Sequence, residues 1–132
     1  MNEKDRYEQG LSVRREVLGT KHVDKSLTNR TSLTTDFQEL ITRYAWGEIW
    51  TRPGLPRKTR SQITIAMMVA LNRNEELALH LHAAKNCGVS EEEVKEVLLQ
   101  TAIYCGVPAA NSAFHLAQTI FAETTIQQNP GA

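Results

Sequence analysis

Helix start and stop signals recur along this chain, and nothing else in the sequence constrains the fold as much. Gly19, Gly88 and Gly106 each stand where a helical stretch stops, and Pro53-Gly54 reads as a turn. Glycine suits that place because it accepts the left-handed backbone that ends a helix. Alternation at period two, the mark of a half-buried strand, is nearly absent. The expected fold class is therefore all-α, in a single domain over residues 1–132, a length sufficient to bury a core.

Six helices are expected. The first, about Glu3 to Leu18, is charged and sparsely apolar, with Leu11, Val17 and Leu18, and suits the surface or a neighbouring subunit. A polar connection through Thr28-Asn29-Arg30 follows. Thr35 and Gln38 have capping-box spacing and open an amphipathic second helix carrying Phe37, Leu40, Ile41 and Tyr44. The stretch Trp46 to Pro56 interrupts the helical pattern. The third helix, about Lys58 to Leu71, is apolar on all sides from Ile63 onward, as befits the centre of a bundle. Asn74 is placed to cap the fourth, which runs to Asn86 or Cys87 and stops at Gly88. Ser90 and Glu93 form a second capping box, opening a fifth helix with Val94, Val97, Leu98, Thr101 and Cys105 on one face. Pro108 suits the first turn of the sixth, where Phe114, Ala117 and Phe121 share a face. The tail from Gln127 is expected to fray.

Charge and composition exclude several functions. Fifteen basic and fifteen acidic residues cancel, so no electrostatic footprint for nucleic acid or an anionic membrane is present. No apolar run is long enough to span a bilayer, and the charged start, Met1 to Arg6, lacks a signal-peptide pattern. Cytoplasmic residence is the expectation. The two cysteines, Cys87 and Cys105, form no C-x-x-C and read as small buried apolar side chains. Four histidines without tight spacing do not make a metal site. His80 and His82 point apart on a helix, and His22 and His115 show no partner pattern.

The fourth helix carries the most suggestive pair. At about 100° per residue, Leu77, Leu81 and Ala84 form one flank of an apolar stripe and Leu79 and Ala83 the other. Glu76 and His80 fall between them, with Glu75, Ala78, His82 and Lys85 opposite. Two readings stay open: an internal Glu–His tie between helices, or a histidine general acid or base oriented by a carboxylate. The preceding loop gathers Trp46, Glu48, Trp50 and Arg52 ahead of Arg57, Lys58 and Arg60. Aromatics beside arginines at a helix start suit an organic anion, since guanidinium groups clamp carboxylates bidentately. A solvated basic helix start with tryptophans in the core is the equal alternative.

Taken together, several blocks resemble the carboxymuconolactone decarboxylase family. They are Tyr7, Gly10, Arg14-Arg15 and Val17-Leu18-Gly19, then Gly47 to Pro56, then Thr59-Arg60-Ser61. Leu71 to Leu77, His80 to Ala84 and Ile103 to Asn111 complete the set, which covers nearly the whole chain. The resemblance implies a six-helix, alkylhydroperoxidase-like bundle assembled as a ring-shaped homo-oligomer, a hexamer ahead of a trimer. It also implies cofactor-free loss of carbon dioxide from a carboxylated lactone, in the protocatechuate branch of aromatic degradation, and no metal. Peroxidases of the superfamily carry a C-x-x-C with a histidine four residues on. Arg73 and Glu76 stand in those cysteine places while His80 is kept, which argues against redox chemistry. His82 stands where relatives often carry arginine. On this resemblance His80 supplies a proton, Glu76 orients it, and Arg52 and Arg60 clamp carboxylates. Trp50 and Tyr104 wall the pocket, and Glu48 is an alternative acid. The rivals are a same-fold enzyme acting on another carboxylated lactone or acid, and a non-catalytic oligomer that binds such acids.

Overall fold

The computed structural model describes residues 1–128, with side chains described through residue 123. The described chain is all-helical: α1 (Glu3–Leu18), α2 (Thr20–Thr28), α3 (Thr35–Ile41), a π-helical continuation (Thr42–Ile49), α4 (Arg57–Ala70), α5 (Asn74–Ala83), a 3₁₀ turn (Lys85–Cys87), α6 (Glu91–Tyr104) and α7 (Val107–Gln128). The class agrees with expectation, but six helices become seven α-helices among the described residues. The extra one is α2, where only a polar connection was expected. It forms because Val23 is fully buried while charged neighbours face outward, and Arg15 on α1 holds Asp24 at 2.8 Å.

Two compact units make up the chain, Met1–Arg57 and a second from Lys58 onward. In the first, α1 packs along the π-helical segment. It does so through Gly10, Arg14 and Val17 rather than through Leu11 and Leu18, which are only half-buried. The helix stays largely exposed, as expected of a surface helix, and its contact is made by a glycine face that lets two backbones approach closely without an apolar stripe. Arg14 is buried, and its Nη1 donates to the Thr42 hydroxyl at 3.2 Å; burial pushes its pKa below the ordinary arginine value. The second helix begins at Thr35, but no capping box forms there. Instead the Thr35 hydroxyl donates back to the Thr31 carbonyl at 2.8 Å. Helical winding continues through Ile49 with more residues per turn, shown by Trp50 N–H donating to the Ala45 carbonyl five residues back. The helical pattern is broken only after it.

In the second unit α6 and α5 both pack on α7. The Ser90–Glu93 capping box is present with both of its hydrogen bonds, at 3.1 and 3.0 Å. Gly88 and Gly106 take positive φ at the helix ends, 80° and 101°. Between α4 and α5 the stop is made by Asn72, at φ 57°. Its N–H donates to Val69, and that of Arg73 to Met68, a Schellman closure with asparagine in the glycine place. Helix α5 therefore starts at Asn74 with Arg73 as its cap and no side-chain capping bond, so the expected Asn74 cap is displaced by one residue.

The expectation that α4 is enclosed on all sides is overturned. Ser61, Ile65 and Val69 are buried, but Ile63 and Met67, on another face, are exposed. Cys87 is buried as expected, whereas Cys105 is half-exposed. Helix α7 continues through Gln128, and the rest of the expected frayed tail lies outside the described residues.

Candidate active site

Helix α5 carries Glu76 and His80 one turn apart. The buried face is centred on Leu77, Leu81 and Ala84, and Ala83 is buried on the other flank. At about 100° per residue that centring puts His80 on the shoulder of the buried face and Glu76 at its margin. Glu76 is accordingly exposed, His80 half-buried and Leu79 only partly covered. The stripe read from the sequence was thus centred wrongly. Equal weight on both flanks placed the carboxylate inside, whereas packing covers the Leu77 flank along its length and the other only at Ala83, two turns beyond Glu76.

The pair remains electrostatically linked. Burial pushes the His80 imidazole below the ordinary histidine range, and the Glu76 charge opposes that shift. A carboxylate on the solvent side and an imidazole on the protein side is an arrangement able to tune the proton affinity of the imidazole and to exchange protons with a bound molecule.

Arg60 lies half-buried on α4. Tyr104, at the C-terminal end of α6, is 83% exposed. It borders a groove of about 350 Å³ with Thr59, Ile63, Gln100 and Cys105, to which α5 contributes no side chain. Among the described residues no three His, Cys, Asp or Glu side chains gather closely enough to hold a metal ion.

The remaining candidates sit in the first unit. Trp50 stacks on buried Trp46 with ring centroids 5.0 Å apart. Glu48 Oε1 lies 3.6 Å from Arg52 Nη1, and Glu48 Oε2 accepts from Arg6 Nη1 at 2.5 Å. Thr51 closes the π-helical segment by donating its hydroxyl to the Gly47 carbonyl at 2.9 Å. Arg6 was missed in the sequence, and no local signal could have found it, since it meets Glu48 across 42 residues. Of the other histidines, His22 is pushed below its ordinary range, first by burial and then by Arg14 and Lys25. His115 borders a shallow groove with Asn74 and Ser112.

The described chain is thus an all-helical protein with a glutamate and a histidine at i, i+4 on one helix and an arginine–tryptophan cluster on another segment. The model of the carboxymuconolactone decarboxylase family matches residues 35–119, and the chain belongs to that family. It is 52% identical to 4-carboxymuconolactone decarboxylase of Acinetobacter baylyi over 126 residues, covering 96% of this chain and 94% of that protein. It is 43% identical over 112 residues to nitrosuccinic acid decarboxylase of Metarhizium robertsii, covering 85% and 78%. A 4-carboxymuconolactone decarboxylase sequence from Pseudomonas putida matches at 50% over 48 residues, 36% of this chain and 100% of that sequence.

Proposed function

We propose that this protein catalyses decarboxylation of 4-carboxymuconolactone to 3-oxoadipate enol-lactone, a step of protocatechuate degradation by the β-ketoadipate route. The observation that carries the reading is 52% identity over 96% of the chain to an enzyme of that name. The whole chain acts as one domain of alkylhydroperoxidase-like architecture.

The chemistry suits a protein site without a metal or organic cofactor. The departing carboxylate sits on the γ carbon of an unsaturated lactone, so the electrons left by carbon dioxide spread through the ring to the lactone carbonyl oxygen. Three things are required: a clamp for carboxylates, stabilisation of the developing oxyanion, and a proton for the carbon α to that carbonyl. Arg52 and Arg60 serve as the clamp, His80 as the proton donor and Glu76 as the group that orients it. Trp50 and Tyr104 form walls. The test is carbon dioxide release and loss of lactone absorbance by purified protein without added cofactor. Acid binding without turnover would overturn the reading in favour of a non-catalytic binding protein.

A second reading keeps the chemistry and changes the substrate. The nitrosuccinic acid decarboxylase at 43% identity favours a related small acid, and a comparison of kcat/KM on both substrates decides between the two.

The chain works as a homo-oligomer, a hexamer ahead of a trimer, in the cytoplasm. Support comes from large apolar side chains left in water by a single chain: Phe37, Leu40, Met67, Ile103, Tyr104 and Val107 are each more than half exposed, and partner subunits would cover them. No described helix is long and apolar enough to cross a membrane.

A further inference from the structure

We propose that Arg6 is a positioning residue: through Glu48 it holds Arg52 in the geometry that receives a substrate carboxylate. The inference rests on the reading of Arg52 as a clamp, given above.

Glu48 divides its two oxygens between two guanidinium groups. Oε2 accepts from Arg6 at 2.5 Å, while Oε1 faces Arg52 Nη1 at 3.6 Å. This is the arrangement of a counter-ion. The two contacts are of unequal strength. Arg52 is 60% exposed and Glu48 42%, and an exposed ion pair of that kind holds a long side chain only weakly. Arg6 is 19% exposed and is fixed from three directions. Glu48 takes its Nη1, Glu3 takes its Nε at 3.2 Å, and the Tyr44 ring lies 5.4 Å from its guanidinium carbon. Tyr44 in turn donates its hydroxyl to Glu3 at 2.7 Å. Arg6 is therefore the fixed end of the chain, and Arg52, 60% exposed, is the end open to substrate.

The backbone supports this order. A Cβ on Gly47 would collide with the Arg6 carbonyl oxygen, so only glycine before Glu48 lets α1 approach closely enough for Arg6 to reach the carboxylate. More than half of the Arg52 side chain meanwhile faces water, where an incoming carboxylate can meet it. Neighbouring Pro53 and Gly54 are exposed and add no packing. Preorganising a flexible cation in this way lowers the entropy lost on binding.

Arg6→Met, Arg6→Lys, Glu48→Gln, Arg52→Ala and the Arg6→Met/Arg52→Ala double variant are compared by steady-state kinetics on the carboxylated lactone, with thermal unfolding as the folding control. Arg6→Met and Glu48→Gln are expected to raise KM about threefold, the scale of an exposed ion pair, with kcat unchanged within error. Arg6→Lys recovers most of the loss. In the Arg52→Ala background Arg6→Met has no further effect, because its influence passes through Arg52. A fall in KM for Glu48→Gln would show that the carboxylate merely competes with substrate for Arg52, and would overturn the inference. So would an unchanged KM in Arg6→Met beside a damaged Arg52→Ala, an outcome that leaves the clamp standing. An Arg52→Ala enzyme with unaltered KM and kcat removes the clamp itself, and this inference with it.

Discussion

Gly10 and Gly47 meet backbone to backbone where α1 crosses the π-helical segment: a Cβ on Gly10 would lie 2.8 Å from the Gly47 nitrogen and would collide with the Thr42 carbonyl. Both obstacles are main chain, which cannot swing aside as a side chain does. Gly10→Ala is expected to destabilise the protein by about 3 kcal/mol, the upper range for overpacking. Urea unfolding of the variant beside the wild type measures it, and a loss below about 0.5 kcal/mol would contradict the crossing described.

Proton donation by His80 predicts a pH profile of definite sign. A donor must be protonated, so turnover is present below its pKa and lost as pH rises through it. Burial lowers that pKa, and the falling limb of kcat/KM should therefore lie on the acid side of about 6.5, the ordinary histidine value. Glu76→Gln removes the charge that opposes the lowering, and moves the limb further to acid. A profile that ignores Glu76 would remove the orienting role. His80→Ala that turns over at near wild-type rate while folded would remove the donor itself.

The same shift makes a stability prediction that needs no substrate. In the unfolded chain His80 binds its proton at the ordinary value, and in the folded chain only at lower pH. Stability contributed by His80 is thus fully present above about pH 6.5 and is lost as pH falls from there through the lowered pKa. His80→Gln should flatten the part of the melting temperature's acid decline that belongs to this window. Equal declines in both proteins would place the cause elsewhere.

The capping box at the start of α6 offers a local control. Ser90→Ala removes the acceptor for the Glu93 N–H and should cost about 1 kcal/mol, the usual loss for a helix cap. Activity per folded molecule should not change. Chemical denaturation with parallel kinetics separates the two.

Assembly can be broken from outside. Ile103 is 79% exposed at the end of α6, and Ile103→Glu places a charge where an apolar contact between subunits would have to exclude water. Light scattering after size exclusion should show an oligomer for the wild type and smaller species for the variant. A monomeric wild type would end the oligomer reading.

How far the sequence reaches depends on the range of each interaction. The Ser90–Glu93 cap, the stops at Gly19, Gly88 and Gly106 and the helical class were legible because each is decided within a few residues of backbone. The extra helix α2 was lost because its signal is one buried valine among polar neighbours. The Asn72 stop was passed over because asparagine seldom takes the glycine place, although it tolerates the left-handed backbone. The candidates Glu76, His80, Arg52 and Glu48 could be named from their blocks, but not the surroundings of any of them.

By itself the sequence determined the helical class, several of the helix ends, which family the chain resembles and which side chains are candidates for its site. Only the tertiary structure decided that Glu76 stands at the margin of α5 rather than inside it, that α4 leaves a face exposed, and that Glu48 answers to Arg6. The reason is physical. A helix's periodicity states which residues share a face, whereas the side that is covered depends on what packs there. The Arg6–Glu48 bond joins residues 42 apart, and it exists only because two glycines let the backbones cross.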